Sequence, residues 1–314
     1  NYVSALTLLD ATNGSGGLAA NYKLPDMTVA STKNTVTFTP APLTITGMAA
    51  TTKIYDGTTA ATLQSGSLSG VLSTDQVTLT QTGLFNSKNV GASVAVTSTS
   101  TLSGVDAQNY SLTQPTTITA AITAKDITVT GLTIAASKIY DGTTNATITA
   151  GGLVTTQNTG VGSTSDGNLY NVDAVVLSGT PQAFYNSKDV ASANLATVSG
   201  YSLTGTGAGN YHLIAPTQAA TITPKNVSIA GLTITASKTY DATTTATITG
   251  AATLLSQSTG SGNSADGKIY TVDPLVTLAG TALANYDNKD VLTASTISIS
   301  GLSLSGAGSS NYTL

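Results

Sequence analysis

Apolar and polar residues alternate with a period of two along much of this chain. The alternation is clear in residues 77–80 (VTLT), 93–97 (SVAVT) and 297–300 (ISIS). Because successive side chains of a β-strand point to opposite faces, the pattern predicts strands with one buried and one solvated face. Glu and Arg, which favour helix surfaces, are absent. We therefore predict an all-β fold.

Three short phrases recur in a fixed order along the chain. The Tyr-Asp phrase, Lys-x-Tyr-Asp followed by Gly or Ala and two Thr, occupies residues 53–59, 138–144 and 238–244. The Lys phrase, an aromatic residue followed three positions later by Lys, occupies residues 85–90, 185–190 and 286–291. The Asn-Tyr phrase, Asn-Tyr-x-Leu, occupies residues 21–24, 109–112, 210–213 and 311–314. The chain is therefore a tandem array.

The spacing of the phrases identifies the size of the repeating unit. The tyrosines of the Asn-Tyr phrase, at positions 22, 110, 211 and 312, lie 88, 101 and 101 residues apart. Solenoid units are shorter, at roughly 20–50 residues, whereas an immunoglobulin-like domain has roughly 100. Each unit is thus predicted to be an immunoglobulin-like β-sandwich with its own core.

The phrases divide the chain into four segments. We interpret residues 1–40 as the C-terminal remnant of a preceding repeat, and residues 41–123, 124–223 and 224–314 as repeats 1, 2 and 3. Residues 1–24 match residues 291–314 in phase, which indicates a window cut from a longer array. Repeats 1 and 2 continue after the Asn-Tyr phrase into a further strand-like run. Repeat 3 is expected to lack this closing strand.

The junctions between the repeats are short. Only residues 40–42, 124–126 and 224–226 separate strand-like runs of neighbouring repeats, and proline occurs in the first and last of them. Proline restricts the backbone, and domains joined by so few residues cannot swing widely. The sequence therefore predicts a semi-rigid rod with its domains arranged end to end.

Two long polar segments distinguish repeats 2 and 3 from repeat 1. They cover residues 157–172 and 257–272 and contain an Asp-Gly pair each, at Asp166 and Asp266. Because Asp-Gly is a frequent hairpin turn, we predict long hairpin loops. Loops on a rigid scaffold often carry specificity, so these are the first candidates for contact with a ligand or a neighbouring chain. A solvated tip without a partner is the alternative.

The Tyr-Asp phrase allows a structural and a functional interpretation. Strand alternation places its Tyr on the face opposite Lys and Asp, which predicts a core Tyr, and Asp-Gly-Thr is typical of a turn. In repeat 3, Ala242 replaces Gly, which suggests that a positive φ is not obligatory there. The functional alternative is ligand contact through the aspartates. The residues concerned are Tyr55, Asp56, Gly57, Tyr140, Asp141, Gly142, Tyr240 and Asp241.

Composition gives little support for catalysis or for a metal site. Cysteine is absent, which excludes thiolate metal sites. His212 is the single histidine, so a metal site made of several histidines is excluded and a Ser-His-Asp triad could occur in one repeat at most. We expect no catalytic residue and no cofactor. Calcium, which binds oxygen ligands, has only weak candidates. These are Asp166, Asp173, Asp266 and Asp273.

Lysines of the Lys phrase raise one further possibility of covalent chemistry. Lys88, Lys188 and Lys289 each lie beside Asn or Asp, and some bacterial surface domains join such residues by an isopeptide bond. That reaction needs a buried acid, and in the absence of Glu an Asp would have to serve. Solvated lysines whose stems cover a strand edge are the alternative.

Charge and hydropathy restrict the partners. The chain has 11 Lys and 15 Asp and a net charge of −4, so it has no basic patch for nucleic acid. No apolar run is long enough to predict a membrane span. A Thr-rich chain of low charge without cysteine suggests a bacterial exported protein. Neighbouring copies, a cell-surface or matrix component and polysaccharide are the expected partners.

Taken together, the phrases carry a resemblance to a known family. The Tyr-Asp and Lys phrases, followed by residues 205–213 (GTGAGNYHL) and 222–225 (ITPK), resemble the YDG-type repeats of large bacterial exoproteins. Such repeats occur in filamentous-haemagglutinin-like adhesins, often exported by two-partner secretion. The resemblance covers residues 41–314, with residues 1–40 as a remnant. It implies an extracellular, non-enzymatic stalk or biofilm-matrix component and transfers no binding residue.

Two alternatives come from other functional classes. An array of carbohydrate-binding modules would normally expose aromatic residues for stacking on sugar rings, but the chain has no Trp and three Phe. A self-assembling sheath or surface-layer subunit has the same composition as a stalk. The sequence therefore favours a stalk over a carbohydrate-binding array and leaves the sheath open.

Overall fold

The computed structural model describes residues 38–260 and 263–314, and most of the segment interpreted as a remnant lies outside this range. In these ranges the regular structure consists of β-strands and short 3₁₀ turns, without an α-helix. The all-β class predicted from the alternation is confirmed. The 3₁₀ turns precede the tyrosine of each Asn-Tyr phrase, at Ala107–Asn109, Ala208–Asn210 and Ser309–Asn311.

Two compact units make up the described chain. The first contains residues 38–53 and 58–123, and the second contains residues 54–57, 124–260 and 263–314. Repeats 2 and 3 thus belong to one unit. That unit also includes four residues of the first Tyr-Asp phrase.

Strands in repeat 1 are mostly short. They are β1 (Ala41–Thr46), β2 (Ala49–Ala50), β3 (Lys53–Ile54), β4 (Ala60–Ala61), β5 (Leu63–Gln64), β6 (Ser67–Ser69), β7 (Thr78–Thr80), β8 (Gly83–Phe85), β9 (Gly91–Ser98), β10 (Thr101–Ser103), β11 (Tyr110–Thr113) and β12 (Ile118–Thr123). The largest sheet has the order β3-β12-β9-β8-β4, and a second has the order β11-β1-β6. Alternate residues of β12 are buried, as the period of two predicts.

Repeat 2 is built around a long hairpin. Its strands are β13 (Lys125–Ile127), β14 (Thr133–Ile134), β15 (Ser137–Ile139), β16 (Asn145–Ala146), β17 (Ile148–Ala150), β18 (Thr156–Gln157), β19 (Leu169–Tyr170), β20 (Val176–Tyr185), β21 (Leu195–Thr204), β22 (Tyr211–Leu213), β23 (Thr217–Ala219) and β24 (Thr221–Thr223). The main sheet has the order β16-β20-β21-β23, and β15 pairs with β24.

Repeat 3 has the same hairpin but fewer strands. They are β25 (Lys225–Asn226), β26 (Ile229–Ala230), β27 (Thr245–Ala246), β28 (Thr253–Leu254), β29 (Ser256–Gln257), β30 (Ile269–Tyr270), β31 (Thr277–Tyr286), β32 (Ile297–Ser305) and β33 (Tyr312–Thr313). Its main sheet has the order β27-β31-β32. Among the described residues, no strand of repeat 3 takes the edge position that β23 occupies in repeat 2.

In each repeat, the first strand pairs in parallel with the strand of the Asn-Tyr phrase. β1 pairs with β11, β13 with β22 and β25 with β33, so the first strand of the repeat lies beside the Asn-Tyr phrase. All described sheets stay within one repeat and contain two to five strands. The finer prediction of an immunoglobulin-like sandwich stays a prediction, because these small sheets do not by themselves establish it.

A glycine pair shapes the central hairpin. The register of β20 and β21 shifts between Gly179 and Gln182, which marks a bulge. Gly179 has a φ of 98°, and a Cβ there would lie 2.1 Å from the carbonyl oxygen of Gly200. No other residue fits so close an approach of two backbones.

One hydrophobic cluster runs through repeats 2 and 3. It includes Val198 and Ile222 of repeat 2, Val276 and Tyr312 of repeat 3, and Tyr140, which belongs to repeat 2. Since no described sheet crosses from one repeat to the other, side chains make this core continuous. The candidate site lies where the cluster crosses the boundary.

Candidate functional site: the joint between repeats 2 and 3

Tyr140, the tyrosine of the second Tyr-Asp phrase, lies in the core of the following repeat. It follows β15, and its amide donates to the carbonyl oxygen of Thr223 at 2.8 Å. Its side chain is fully buried. The ring packs edge-on against Tyr270 at 5.9 Å and Tyr312 at 5.3 Å between centroids. The prediction of a buried tyrosine holds at this position, but repeat 3 supplies its surroundings.

A buried carboxylate fixes the tyrosine in place. The Tyr140 hydroxyl donates to Asp273 Oδ2 at 2.6 Å, and the Tyr312 hydroxyl donates to the same oxygen at 2.8 Å. Lys188 Nζ lies 3.3 Å from Asp273 Oδ1. Asp273 is 5% exposed, so these donors and the Lys188 charge replace the water that the carboxylate loses.

An asparagine closes the other side of the joint. Asn311, fully buried, accepts a hydrogen bond from the Val190 amide at 2.9 Å and donates to Asp189 Oδ1 at 2.8 Å. Asp189 and Val190 belong to the Lys phrase of repeat 2. All three recurring phrases therefore meet here: two are contributed by repeat 2, and the Asn-Tyr phrase by repeat 3. We call Tyr140, Lys188, Asp189, Asp273, Asn311 and Tyr312 the joint.

The tyrosine of the first Tyr-Asp phrase repeats this geometry inside the second unit. Tyr55 is fully buried, and its hydroxyl donates to Asp173 Oδ2 at 2.5 Å. The Tyr211 hydroxyl donates to the same oxygen at 2.7 Å. The rings of Tyr55 and Tyr211 lie 5.3 Å apart, as do those of Tyr140 and Tyr312. The arrangement is thus built twice from equivalent residues.

The prediction of a core tyrosine is wrong for Tyr240. It is 55% exposed, whereas Tyr55 and Tyr140 are fully buried. The three residues occupy the same position of the Tyr-Asp phrase. The difference follows from the joint, because the pocket for this tyrosine is made by residues of another repeat.

The remainder of the Tyr-Asp phrase forms a turn. Asp141 Oδ1 accepts hydrogen bonds from the Thr143 amide at 2.9 Å and from Lys138 Nζ at 2.7 Å. Asp241 makes the same contacts in repeat 3, and Gly57 and Gly142 both have a φ of 77°. Ala242 has a φ of 63°, so the suggestion that a positive φ is not obligatory here was wrong. Ala242 therefore adopts a strained backbone conformation that a glycine would adopt without strain.

Buried lysines form a second cluster that the sequence analysis missed. Lys125 and Lys225 are fully buried at the start of β13 and β25. Lys225 Nζ lies 2.5 Å from Asp266 Oδ1 and donates to the Lys268 carbonyl oxygen at 2.6 Å. Lys125 makes the same contacts with Asp166 and Asn168. The available signal was that repeats with a lysine at the junction also have the long segment, whereas repeat 1 has Ala41 and no such segment.

This pairing also corrects the prediction of hairpin loops. β18 and β19, which flank the segment in repeat 2, pair in parallel, as do β29 and β30. A hairpin joins antiparallel strands, whereas parallel strands need a longer crossover. The Asp-Gly turn lies within this crossover and directs Asp166 and Asp266 toward the buried lysines. Contact of these segments with a ligand stays a prediction.

The weak calcium candidates are held by hydrogen-bond donors. Asp166 and Asp266 accept from buried ammonium groups, and Asp173 and Asp273 accept from tyrosine hydroxyls. The residues that the structure describes contain no cluster of three or more metal-ligating side chains. The geometry of these four aspartates therefore fits donor groups rather than a cation.

The remaining candidates lie in ordinary ionic contacts. Lys188 Nζ is 2.6 Å from Asp189 Oδ1, and Lys289 Nζ is 2.9 Å from Asp290 Oδ1. His212 Nδ1 lies 2.9 Å from Asp126 Oδ1 on the surface. These geometries give no particular support to an isopeptide bond or to a catalytic histidine.

Burial changes the acidity of the joint. It raises the pKa of Tyr140 well above the usual tyrosine range, and the hydrogen bond to Asp273 raises that pKa further. Burial likewise raises the pKa of Tyr312. An unfolded tyrosine has a pKa of about 10, so the unfolded state loses these protons first. Stability from the tyrosines is complete below that pH and is lost as the pH rises.

We expect alkaline conditions to weaken the second unit through these tyrosines. The free energy of unfolding should fall as the pH rises from about 9 to about 11. Urea unfolding followed by circular dichroism measures this change. Because lysines titrate in the same range, Tyr140→Phe is the control, and its loss should be shallower. Equal slopes for the two proteins would contradict a contribution from Tyr140.

The chain was compared with protein-family models, curated proteins and solved structures. Neither curated proteins nor solved structures gave a match to this chain. No helix in the described residues is long and apolar enough to cross a membrane. The model of the YDG domain, in contrast, matches residues 39–118, 123–220 and 223–314. These matches cover most of the sequence, and the chain therefore belongs to the YDG domain family.

Proposed function

We propose that this chain is a non-enzymatic structural segment, a stalk or fibre of a bacterial extracellular adhesin or matrix protein. Its repeats are immunoglobulin-like sandwiches arranged end to end as a semi-rigid rod. The observation that carries the proposal is the burial of Tyr140 in the core of repeat 3. A side chain shared in this way couples repeat 2 to repeat 3.

The contacts of the joint explain why such coupling is stiff. Rotating repeat 3 away from repeat 2 withdraws Tyr140 from its aromatic pocket, which costs about 1.5–3 kcal/mol for the apolar surface alone. It also leaves Asp273 without two of its donors and Asn311 without its partners. Buried polar groups that lose their partners add to the cost. A linker without such contacts offers no comparable resistance.

Several features support an extracellular, non-enzymatic role. The perturbed tyrosines and the buried aspartates are engaged in contacts between neighbouring parts of the fold, and the single histidine lies on the surface. Absence of cysteine and low charge are typical of bacterial exported arrays. The resemblance to filamentous-haemagglutinin-like adhesins points the same way. Cell-surface or matrix components are the partners that this role implies.

The carbohydrate-binding alternative receives less support. Sugar rings stack on exposed aromatic platforms. Here, six tyrosines form two buried clusters of the second unit instead. They are Tyr55, Tyr140, Tyr170, Tyr211, Tyr270 and Tyr312. Their recurrence serves coupling of the repeats rather than display of rings to solvent.

Small-angle scattering tests the rod. For three domains with strands of about ten residues, the maximum dimension should be about 110–120 Å. The control carries Tyr140→Ala, which removes the inserted side chain, and a Gly-Ser-Gly-Ser insertion after Thr223, which lengthens the short junction. The distribution of interatomic distances of this control should be broader than that of the parent chain. Both proteins are measured at dilutions where the chain is monomeric. A compact particle would contradict the stalk proposal, because domains packed side by side have a shorter maximum dimension than domains in a row.

A further inference from the structure

The long polar segment of repeat 3 packs closely against the Tyr-Asp turn of repeat 2. The contact lies at Gly142, where a Cβ would be 2.5 Å from Thr259 Cγ2 and 3.2 Å from Val272 Cγ1. Non-bonded carbon atoms normally stay about 3.5–4.0 Å apart. The turn of repeat 2 therefore has no space for a side chain at residue 142.

Equivalent residues make the same contact a second time within the second unit. A Cβ at Gly57 would overlap Thr159 Cγ2 and lie 3.5 Å from Val172 Cγ1. Thr159 and Val172 hold, in the long polar segment of repeat 2, the positions that Thr259 and Val272 hold in repeat 3. Close packing on the glycine is therefore a recurring property of repeats that have this segment.

The position of Thr259 is fixed from both sides. The Thr271 amide donates to the Gln257 carbonyl oxygen at 2.8 Å, which holds the backbone two residues before Thr259. Further along the segment, Asp266 is held by the buried ammonium group of Lys225. A β-branched side chain also has few χ1 rotamers. Thr259 therefore has little freedom to withdraw from a side chain at residue 142.

The turn by itself does not require glycine. Repeat 3 has Ala242 at the same position, with a φ of 63° against 77° for Gly57 and Gly142. An alanine can thus adopt this conformation, although with strain. What distinguishes the two glycines is that each belongs to a repeat followed by one with the long segment. In repeat 1, only residues 70–77 separate β6 from β7, so that repeat has no counterpart of the segment.

We propose that the fifth residue of the Tyr-Asp phrase determines which kind of repeat can follow it. A repeat with the long segment accepts only a preceding repeat with glycine at this position, because Thr259 and Val272, or their counterparts, occupy the space of a side chain. A repeat without the segment imposes no such requirement. The rule concerns the order of repeats, so it applies to a stalk and to a sheath alike, and its failure would leave the rod intact.

Gly142→Ala in the 314-residue chain tests the rule, because it gives repeat 2 the turn of repeat 3. The Val190 amide reports on the joint, since it donates to Asn311 Oδ1 across it at 2.9 Å. Overpacking should weaken the joint and accelerate hydrogen exchange of this amide at least about tenfold. Mass spectrometry of the peptide that contains Val190 measures the rate, and circular dichroism melts establish that each variant is folded.

Thr259→Ala separates the packing effect from backbone strain. It removes Cγ2 and leaves the Cβ of residue 259 at 3.6 Å from a Cβ at residue 142, which is an ordinary contact. The acceleration caused by Gly142→Ala should therefore be at least about fivefold smaller in the Thr259→Ala background. Thr259→Ala alone should change the exchange rate little, because Thr259 is exposed.

Ala242→Gly is the matched control for strain. It makes the reverse change at the same position of the phrase, and Ala242 is exposed. Since residue 242 lies outside the joint, exchange of the Val190 amide should stay within about twofold of the parent chain.

Two results would overturn the rule. If Gly142→Ala left the exchange of Val190 unchanged, the following segment would tolerate a side chain at this position. If Gly142→Ala accelerated exchange equally with and without Thr259, strain in the turn would be the reason for glycine. A Gly142→Ala chain that fails to fold supports the rule if Thr259→Ala restores folding and counts against it otherwise.

Discussion

Replacing Tyr140 by alanine is expected to lower the free energy of unfolding of the second unit by about 3–5 kcal/mol, the range for removing a large buried aromatic side chain. The loss has two parts. The aromatic pocket formed with Tyr270 and Tyr312 is left as a cavity, and Asp273 loses a hydroxyl donor while it stays buried. Urea denaturation followed by circular dichroism measures the change.

The chain contains a matched control for this substitution. Tyr240→Ala alters the same position of the same phrase, but Tyr240 is 55% exposed, so the effect should be within about 0.5 kcal/mol. Tyr140→Phe keeps the ring and removes only the hydroxyl, and we expect a loss of about 1–3 kcal/mol. Hydrogen exchange should show the weakening in both repeats, because Tyr140 belongs to one and is buried in the other. An equal effect of the two alanine substitutions would refute the joint.

The second large effect is expected at the buried lysine of repeat 3. Asp266→Asn removes the negative partner of Lys225, whose side chain is fully buried. An uncompensated buried charge should destabilise the second unit by about 3–5 kcal/mol. The hydrogen bond to the Lys268 carbonyl oxygen remains but supplies no charge. Thermal and urea unfolding at neutral pH measure the loss.

A double substitution distinguishes this charge effect from simple disruption of the segment. Lys225→Met with Asp266→Leu removes both charges and keeps the volume, so it should recover most of the stability lost in Asp266→Asn. Lys289→Met is the control for removing an ammonium group that is largely solvated, and it should change stability little. If the double variant were as unstable as Asp266→Asn, the contribution of the pair would lie in backbone geometry instead.

Acid should act on this pair in a defined direction. Burial opposes the charge on Asp266, but the hydrogen bonds from Lys225 and the Lys268 amide outweigh it and hold the pKa of Asp266 below its usual range. The unfolded state therefore binds a proton first as the pH falls. The stability from Asp266 is complete above its unfolded pKa of about 4 and is lost below it.

The sequence by itself determined the class of fold and the repeat. Alternation in segments such as residues 118–123 is a local property, and β12 buries every second residue as that pattern predicts. The repeating phrases were also visible without a structure, since they depend only on residue identity and spacing. The turn at Asp141 follows from the same local chemistry, in which a carboxylate binds an amide two residues further on.

The partner of each recurring side chain was decided only by the tertiary structure. Alternation predicts that Tyr140 points inward but not that the interior belongs to repeat 3, because strand periodicity contains no information on which domain covers a face. In the sequence, Lys125 was only one residue of a short junction, and its partner Asp166 lies about 40 positions later, in a segment with parallel flanking strands. Tyr240 shows the same dependence, since it holds the same position of the phrase and is exposed, and no described residue of another repeat surrounds it. Local sequence sets the direction of a side chain, and contacts distant in sequence set its environment.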